Sequence, residues 1–463
     1  MKLTLGQVAG YLGALGNFDP ELTALGYSID SRTVAPGELF FAVCGEKFDG
    51  HDFVANALQR GAVAAVVAAG QIHRYPQRER LVVVEEPLQA LQTMGASVRR
   101  LWGKRLIAVT GSAGKTTTKE IIAHLLSTRY RVLKTEGNLN NHFGVPLQLL
   151  RLQPEDDIAV VELGMSHAGE IAMLARLASP NIGVVTNVAP VHLGFFRSVA
   201  EIAQAKRELV ETLSPEATAV LNADDEYVSQ FGRDFPGRVV TYGLLNPADV
   251  RADRVEECGL LGSRFNLVVA GDHYPVTLPL LGRHNIYNAL AAVAVATDVE
   301  IQPAAAAAAL ATLSAVDKRG EVLQIAGATV INDCYNSNPR ALDSMVDALV
   351  SVKPVAGGRR IVVAGEMLEL GSAGEDLHRR CGRHIAERGI DCVLGVRGLA
   401  KHLVEEARRR GPSSHPAKAE FVESPDAAGE WLAREVRPGD LVLLKASRGV
   451  HLENALETWK QAR

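Results

Sequence analysis

Phosphate chemistry is within reach of one stretch of this chain, Gly111-Ser112-Ala113-Gly114-Lys115-Thr116-Thr117, which follows an apolar run over 106–110. If that run is a strand and residues 117–127 a helix, the turn between them aims backbone N–H groups at an anion, and the helix dipole favours negative charge there. Lys115 would then reach the outer phosphates of a nucleotide, and the Thr116 hydroxyl would help to hold Mg²⁺. The backbone from Gly111 through Ser112, Ala113, Gly114 and Thr117 would complete the cradle. The spacing is unusual, because the general phosphate-loop pattern puts a glycine at position 109, where this chain has Val109. A shortened loop speaks against the kinase, GTPase and motor readings that the motif alone leaves open.

A metal at this site needs further ligands. The run over 158–163 ends in Glu162-Leu163-Gly164, and a carboxylate at the carboxyl edge of a parallel sheet can complete Mg²⁺ coordination. The next run ends in Thr186-Asn187-Val188, with His192 shortly beyond it. On residue type alone, His192 is either a polar surface side chain or a second metal ligand. Lys206, in Ala205-Lys206-Arg207-Glu208, reads by itself as a solvated helix lysine.

Placing these groups takes alternating strands and helices. Strands are expected over 38–43, 62–69, 106–110, 158–163, 182–187, 219–222, 329–332, 360–364, 392–396 and 440–445. Helices are expected over 117–127, 169–178 and 199–212, with an alanine-rich pair over 285–296 and 303–313. This rhythm implies parallel sheets covered on both faces. The expected fold class is α/β in three domains: a small N-terminal α/β unit (1–101), a central P-loop ATPase-like parallel-sheet domain (102–314) and a C-terminal Rossmann-like α/β unit (315–463). A chain of 463 residues is too long for one core. With 49 basic and 53 acidic residues, a net charge of −4 offers no general attraction to nucleic acid or anionic membrane. Five scattered cysteines without a C-x-x-C pair argue against a disulfide framework or zinc site and for a reducing compartment. The first residues lack the apolar core of a signal peptide, and no apolar run approaches the ~20 residues needed to span a bilayer. A cytoplasmic protein is expected, without membrane insertion or nucleic-acid partner, and as a monomer.

Ten strings in order carry a resemblance: "SIDSRTVAPGELFFAVCGEKFDGHDF", "TGSAGKTTTKE", "GNLNNHFGVP", "VELGMSHAGEI", "TNVAPVHL", "AKRE", "LGRHNIYNAL", "NDCYNSNPRALDSM", "GEMLELG" and "KASRGVHLE". From about Ser28 to about Glu453 the chain resembles the Mur ligases, the ATP-dependent amide-forming enzymes of peptidoglycan synthesis. A loop whose first glycine is residue 111 is this family's own form of the motif.

The resemblance implies ATP and Mg²⁺ as cofactors. It implies phosphate contacts from Gly111–Thr117, catalytic roles for Lys115, Glu162, His192 and Lys206, and metal ligation by Thr116, Glu162 and His192. Lys206 matches a lysine that several members carry as a carbamate, a carboxylate-like ligand. Asn285 matches the adenine contact, Asp333 the ribose contact and Arg319 an ATP-facing arginine. Tyr335, Asn336 and Asn338 would line the pocket of the incoming amine, and Ser31, Arg32, Lys47 and Asp49 fall where the UDP end of the acceptor is recognised. Within the family, "GNLNNHFGVP", "VELGMSHAGEI" and "NDCYNSNP" imply UDP-N-acetylmuramoyl-tripeptide and D-alanyl-D-alanine as substrates. One departure stands out: Gly194 follows Leu193 where many members have glutamate. The alternatives are a ligase of the same superfamily acting on a free diamino acid or a folate, and an ATP-regulated binding protein without ligase activity.

Overall fold

The computed structural model describes residues 1–76, 78–191, 193–315, 318–355, 357–410 and 418–462. Short runs of Val, Ile, Leu and Ala build three main sheets, each buried between helices. The first has four parallel strands in the order Gly26–Ser28, Glu38–Phe41, Ala64–Ala68 and Leu81–Val84. Helix Pro87–Trp102 leads out of it, begun by the Glu86 carboxylate on the N–H groups of Leu88 and Gln89 and ended by left-handed Gly103. On this helix the buried Arg99 donates to the carbonyls of Ala178 and Ser179, at the end of helix Glu170–Ala178. That contact ties the first unit to the second through the otherwise unsatisfied carbonyls of a helix C-terminus.

The central sheet has nine strands. From one edge they run Asp272–Leu278, Ser263–Val269, Val250–Glu257, Arg238–Gly243, Thr218–Asn222, Ile182–Val185, Arg105–Thr110, Ile158–Glu162 and Val132–Lys134. It is parallel from Val250–Glu257 to Val132–Lys134, whereas Val250–Glu257, Ser263–Val269 and Asp272–Leu278 form an antiparallel ribbon that the sequence reading did not foresee. The reason is visible in Val250–Glu257, where buried and exposed positions mix and charge dominates, so no apolar run marks the strand. Strand order reverses around Arg105–Thr110, which lies between a strand reached in each direction, so the carboxyl end of that strand is the crevice where such sheets bind ligands. Helix Lys115–Leu126 packs behind it on the alanine-rich helix His284–Asp298. Ile121, Ile122, Leu125 and Leu126 are at most 1% exposed, each contributing roughly 2–3 kcal/mol of gross burial. The run Ala289–Ala296 is buried throughout, because small side chains let the two helices approach closely.

The third sheet has the order Glu321–Ile325, Ala328–Asp333, Leu441–Lys445, Arg360–Gly365, Cys392–Val396 and Lys418–Val422, antiparallel only in its first pair. Its carboxyl edge faces the phosphate-loop edge of the central sheet across one cavity of about 1220 Å³. Among the described residues, no helix is long and apolar enough to cross a membrane.

Candidate active site

The glycine turn is built by contact rather than by preference alone. A Cβ on Gly111 (φ 145°) would stand 1.9 Å from Thr186 Oγ1, and one on Gly114 (φ 81°) 2.5 Å from Asn288 Oδ1, so both positions require glycine. The strand end Thr186-Asn187 clamps the loop. Ser112 N–H donates to the Asn187 carbonyl at 2.9 Å and Ala113 N–H to Asn187 Oδ1 at 3.0 Å. The Ala113 carbonyl accepts from Thr186 Oγ1 at 2.6 Å and from Asn187 Nδ2 at 3.0 Å. The helix that follows begins at Lys115, and its first-turn N–H groups have no carbonyl one turn back, so they are available to an anion.

Lys115 and Thr116 lie at the head of this helix, against the cavity. Lys115 Nζ donates to the Gly111 carbonyl at 2.9 Å, folding back over the loop. Burial pushes its ammonium below the ordinary lysine value; Glu162 pulls it up again and Arg319 lowers it. The Thr116 hydroxyl donates to Glu162 Oε2 at 2.7 Å and accepts from Arg319 Nη2 at 3.0 Å. Glu162, 3% exposed at the end of its strand, also accepts from Asn140 Nδ2 at 2.8 Å, and its N–H donates to Thr135 Oγ1 at 3.0 Å. One hydroxyl therefore joins a central carboxylate to an arginine of the C-terminal unit, beside the loop. Asn140 was not singled out from the sequence, although it stands inside "GNLNNHFGVP"; Thr186 and Asn187, quoted only as a strand end, turn out to hold the loop.

The C-terminal wall is equally specific. The Arg319 guanidinium lies 3.8 Å from the Tyr335 ring centroid, with Arg448 4.9 Å from the same ring. Asp333 and Lys445 face each other at the ends of adjacent parallel strands and form a buried ion pair, and Lys445 Nζ also donates to the Asn336 carbonyl at 3.0 Å. Asn338 Oδ1 accepts from Ala341 N–H at 2.9 Å, capping helix Pro339–Ser351, so this oxygen is engaged in structure. Asn285 donates to the Leu281 carbonyl at 2.8 Å and accepts from Asn288 Nδ2 at 2.9 Å. Burial lowers the neighbouring His284 to about 4, against the upward pull of Asp333, so this ring is neutral near pH 7. Asn285, Arg319, Asp333, Tyr335, Asn336 and Asn338 all line the cavity with the phosphate loop. Lys445 and Arg448 line it too and were missed as individual residues, though "KASRGVHLE" holds both.

Not every expected residue is found on this wall. Lys206, 2% exposed in helix Val199–Thr212, is absent from the lining, and burial lowers its ammonium far below the ordinary value, with Lys115 adding in the same direction. It is a buried lysine, not the solvated one its residue context suggests. His192 lies outside the described residues. Ser31, Arg32, Lys47 and Asp49 are also away from the cavity wall, to which the first unit contributes Glu46. Arg32 pairs with Asp30 at 2.7 Å on the surface. Asp49 accepts from His51 Nδ1 at 2.6 Å and from His51 N–H at 2.9 Å; burial raises its carboxyl, but these bonds and one from Cys44 bring it down to about 2.

A shortened phosphate loop at a sheet switch point faces an arginine-bearing wall from a second α/β unit, a cleft suited to a phosphate-bearing ligand. Comparison with known proteins agrees. Residues 24–99 match the Mur ligase family catalytic domain, 109–296 the Mur ligase middle domain, and 318–448 the Mur ligase glutamate ligase domain. The UDP-N-acetylmuramoyl-tripeptide–D-alanyl-D-alanine ligase of Bacillus subtilis is 34% identical over 460 residues, covering 99% of this chain and 98% of that protein. The crystal structure of MurF from Acinetobacter baumannii superposes with a TM-score of 0.90 at 28% identity, covering 100% of this chain and 99% of the other. MurF ligase from Thermotoga maritima in complex with ADP superposes with a TM-score of 0.81 at 27% identity, covering 94% and 97%. The chain belongs to the Mur ligase family.

Proposed function

We propose that this protein is an ATP-dependent ligase joining D-alanyl-D-alanine to UDP-N-acetylmuramoyl-tripeptide in cytoplasmic peptidoglycan precursor synthesis, with release of ADP and phosphate. The observation that carries the reading is the Thr116 hydroxyl bridging Glu162 and Arg319 across the cavity, in a chain that is similar to UDP-N-acetylmuramoyl-tripeptide–D-alanyl-D-alanine ligases over its full length. A carboxylate does not accept an amine directly, because oxide is too poor a leaving group. Transfer of the γ-phosphoryl group to the tripeptide carboxylate makes an acyl phosphate, which the amine then displaces. Positioning and positive charge do most of this work. Lys115 and the helix N-terminus would hold the phosphates, Arg319 would face the transferred group, Asn285 and Asp333 would hold adenine and ribose, and Tyr335, Asn336 and Asn338 the dipeptide. Ser31, Arg32, Lys47 and Asp49 would meet the UDP end, within domains spanning 1–101, 102–314 and 315–463.

The oxygen donors Thr116 Oγ1 and Glu162 Oε2, 2.7 Å apart with Asn140 orienting the carboxylate, fit Mg²⁺. Bound there, Mg²⁺ would offset the charge that develops on the phosphates. His192 and Lys206 are the further ligands in this reading; the depressed basicity of Lys206 favours the neutral amine, the form that carbon dioxide carbamylates. The test is phosphate release with UDP-N-acetylmuramoyl-tripeptide and a panel of amines, with products identified by mass spectrometry. D-Alanyl-D-alanine should be the preferred amine. Activity with a free diamino acid but not with D-alanyl-D-alanine would overturn the reading.

A further inference from the structure

Gly194, the residue that departs from the family pattern, lies where main chain of the central unit meets main chain of the C-terminal unit. Its N–H donates to the Glu369 carbonyl at 3.2 Å. The facing turn carries Gly371 in the left-handed region, φ 55°. A Cβ on Gly371 would stand 2.8 Å from Gly194 Cα, 2.9 Å from the Leu193 carbonyl oxygen and 3.0 Å from Gly194 N. All three are backbone atoms, so a side chain there must force the loops apart. A Cβ on Gly194 would meet Gly371 N at 3.6 Å and Glu369 O at 3.7 Å, ordinary van der Waals contact with the facing turn.

Neither loop is free to absorb a wedge. On one side, Met367 N–H donates to His378 Nε2 and Leu368 N–H to Ser447 Oγ, both at 3.0 Å, while Leu370 is 3% exposed in the C-terminal core. On the other, Leu193 packs against the central core. The seam also adjoins the cavity from both sides. Glu369 lines it, held at φ 63° where a non-glycine residue is strained, and Phe195 lies 4.7 Å, centroid to centroid, from His167, another lining residue.

We infer that the Gly194–Gly371 seam is a positioning device, holding Glu369 at the cavity wall and keeping water from the activated carboxyl group. It rests on the ligase reading above. The acyl phosphate has two fates. When the amine nitrogen attacks the acyl carbon, the carbon–oxygen bond to phosphate breaks, phosphate leaves with that oxygen, and the amine gives up a proton. When water attacks instead, the carboxylate returns and the net reaction is ATP hydrolysis. Each fate releases one phosphate and only the first leaves an amide, so their ratio reports on the seam.

The experiment measures phosphate released per amide formed for the full-length protein and three variants. Gly371→Ala wedges the seam from one side. Gly194→Val presses on it from the other without left-handed strain, which keeps the test valid if Gly371→Ala folds poorly. Gly389→Ala is the control, because Gly389 is also left-handed (φ 67°) but has open space at its Cβ. Wild type and Gly389→Ala should stay near one to one, while the two seam variants release phosphate in roughly twofold or greater excess over amide. One-to-one coupling in a folded seam variant, or equal uncoupling in Gly389→Ala, overturns the inference. A wild type that forms no amide with D-alanyl-D-alanine would instead overturn the ligase reading.

Discussion

The phosphate-loop wall and the polar turns of the first unit were both expected to bind substrate, and the structure treats them very differently. At the wall, side chains from four distant stretches converge: Thr116, Glu162 and Asn140 from the central unit and Arg319 from the C-terminal one, linked by hydrogen bonds of 2.7–3.0 Å. In the first unit, Arg32 finds its partner two residues away in Asp30 on the surface, while Asp49 binds the buried His51 and reaches only one distant side chain, Arg74, at 3.4 Å among the described residues. Long-range buried networks hold groups in a geometry that local chain preference cannot supply, whereas local pairs on the surface stabilise a turn and little else. The difference teaches that residue type marks both regions as polar, and only convergence marks one of them as an engine.

The comparison can be broken or sharpened by substitution. Lys115→Ala should lower kcat/KM for ATP by roughly 10³-fold or more, since it removes the charge beside the transferring phosphoryl group. Glu162→Gln should lower kcat by roughly 10²-fold and raise the Mg²⁺ concentration for half-maximal rate, whereas Asn140→Ala, which only frees the carboxylate, should lower kcat by about tenfold. If Asn140→Ala matched wild type, the network would be scenery. Arg32→Ala should raise KM for the UDP substrate by about tenfold with kcat and melting temperature nearly unchanged, because an exposed ion pair is screened by solvent and adds little to stability. An unchanged KM would remove the first-unit turn from the binding site.

The smallest effect concerns His284. Its folded-state value of about 4 lies below the ordinary 6.5, so between those limits the unfolded chain binds more protons than the folded one. Stability should therefore be flat above about pH 6.5 and fall as pH drops toward 4. Urea midpoints measured across that window should show a smaller loss in His284→Gln, and an equal loss in both proteins would assign the effect elsewhere.

Much of this was legible in advance, for local reasons. Strands such as Cys392–Val396 and helices such as Val199–Thr212 announced themselves by apolar runs and periodicity. The family strings carried the cavity residues Asn285 and Asp333, and Arg319, which lies in none of them, was matched by the resemblance and lines the same cavity. The ribbon over 250–278 was not legible, because half-exposed strands with mixed polar positions lack such a signature. Lys206 was misread from its polar neighbours in sequence, since burial depends on what packs over a helix face.

The sequence by itself determined the chemistry on offer: a phosphate cradle needs Gly111, Gly114, Lys115 and Thr116 in that order, and covalent spacing along one strand–turn–helix is enough to specify it. Only the tertiary structure decided which groups serve it. Glu162 and Arg319 share one hydroxyl because two sheets present their carboxyl edges to the same cavity. Gly194 matters because another backbone arrives against it. Contacts between residues far apart in the chain are set by how whole units pack, and no local pattern encodes them.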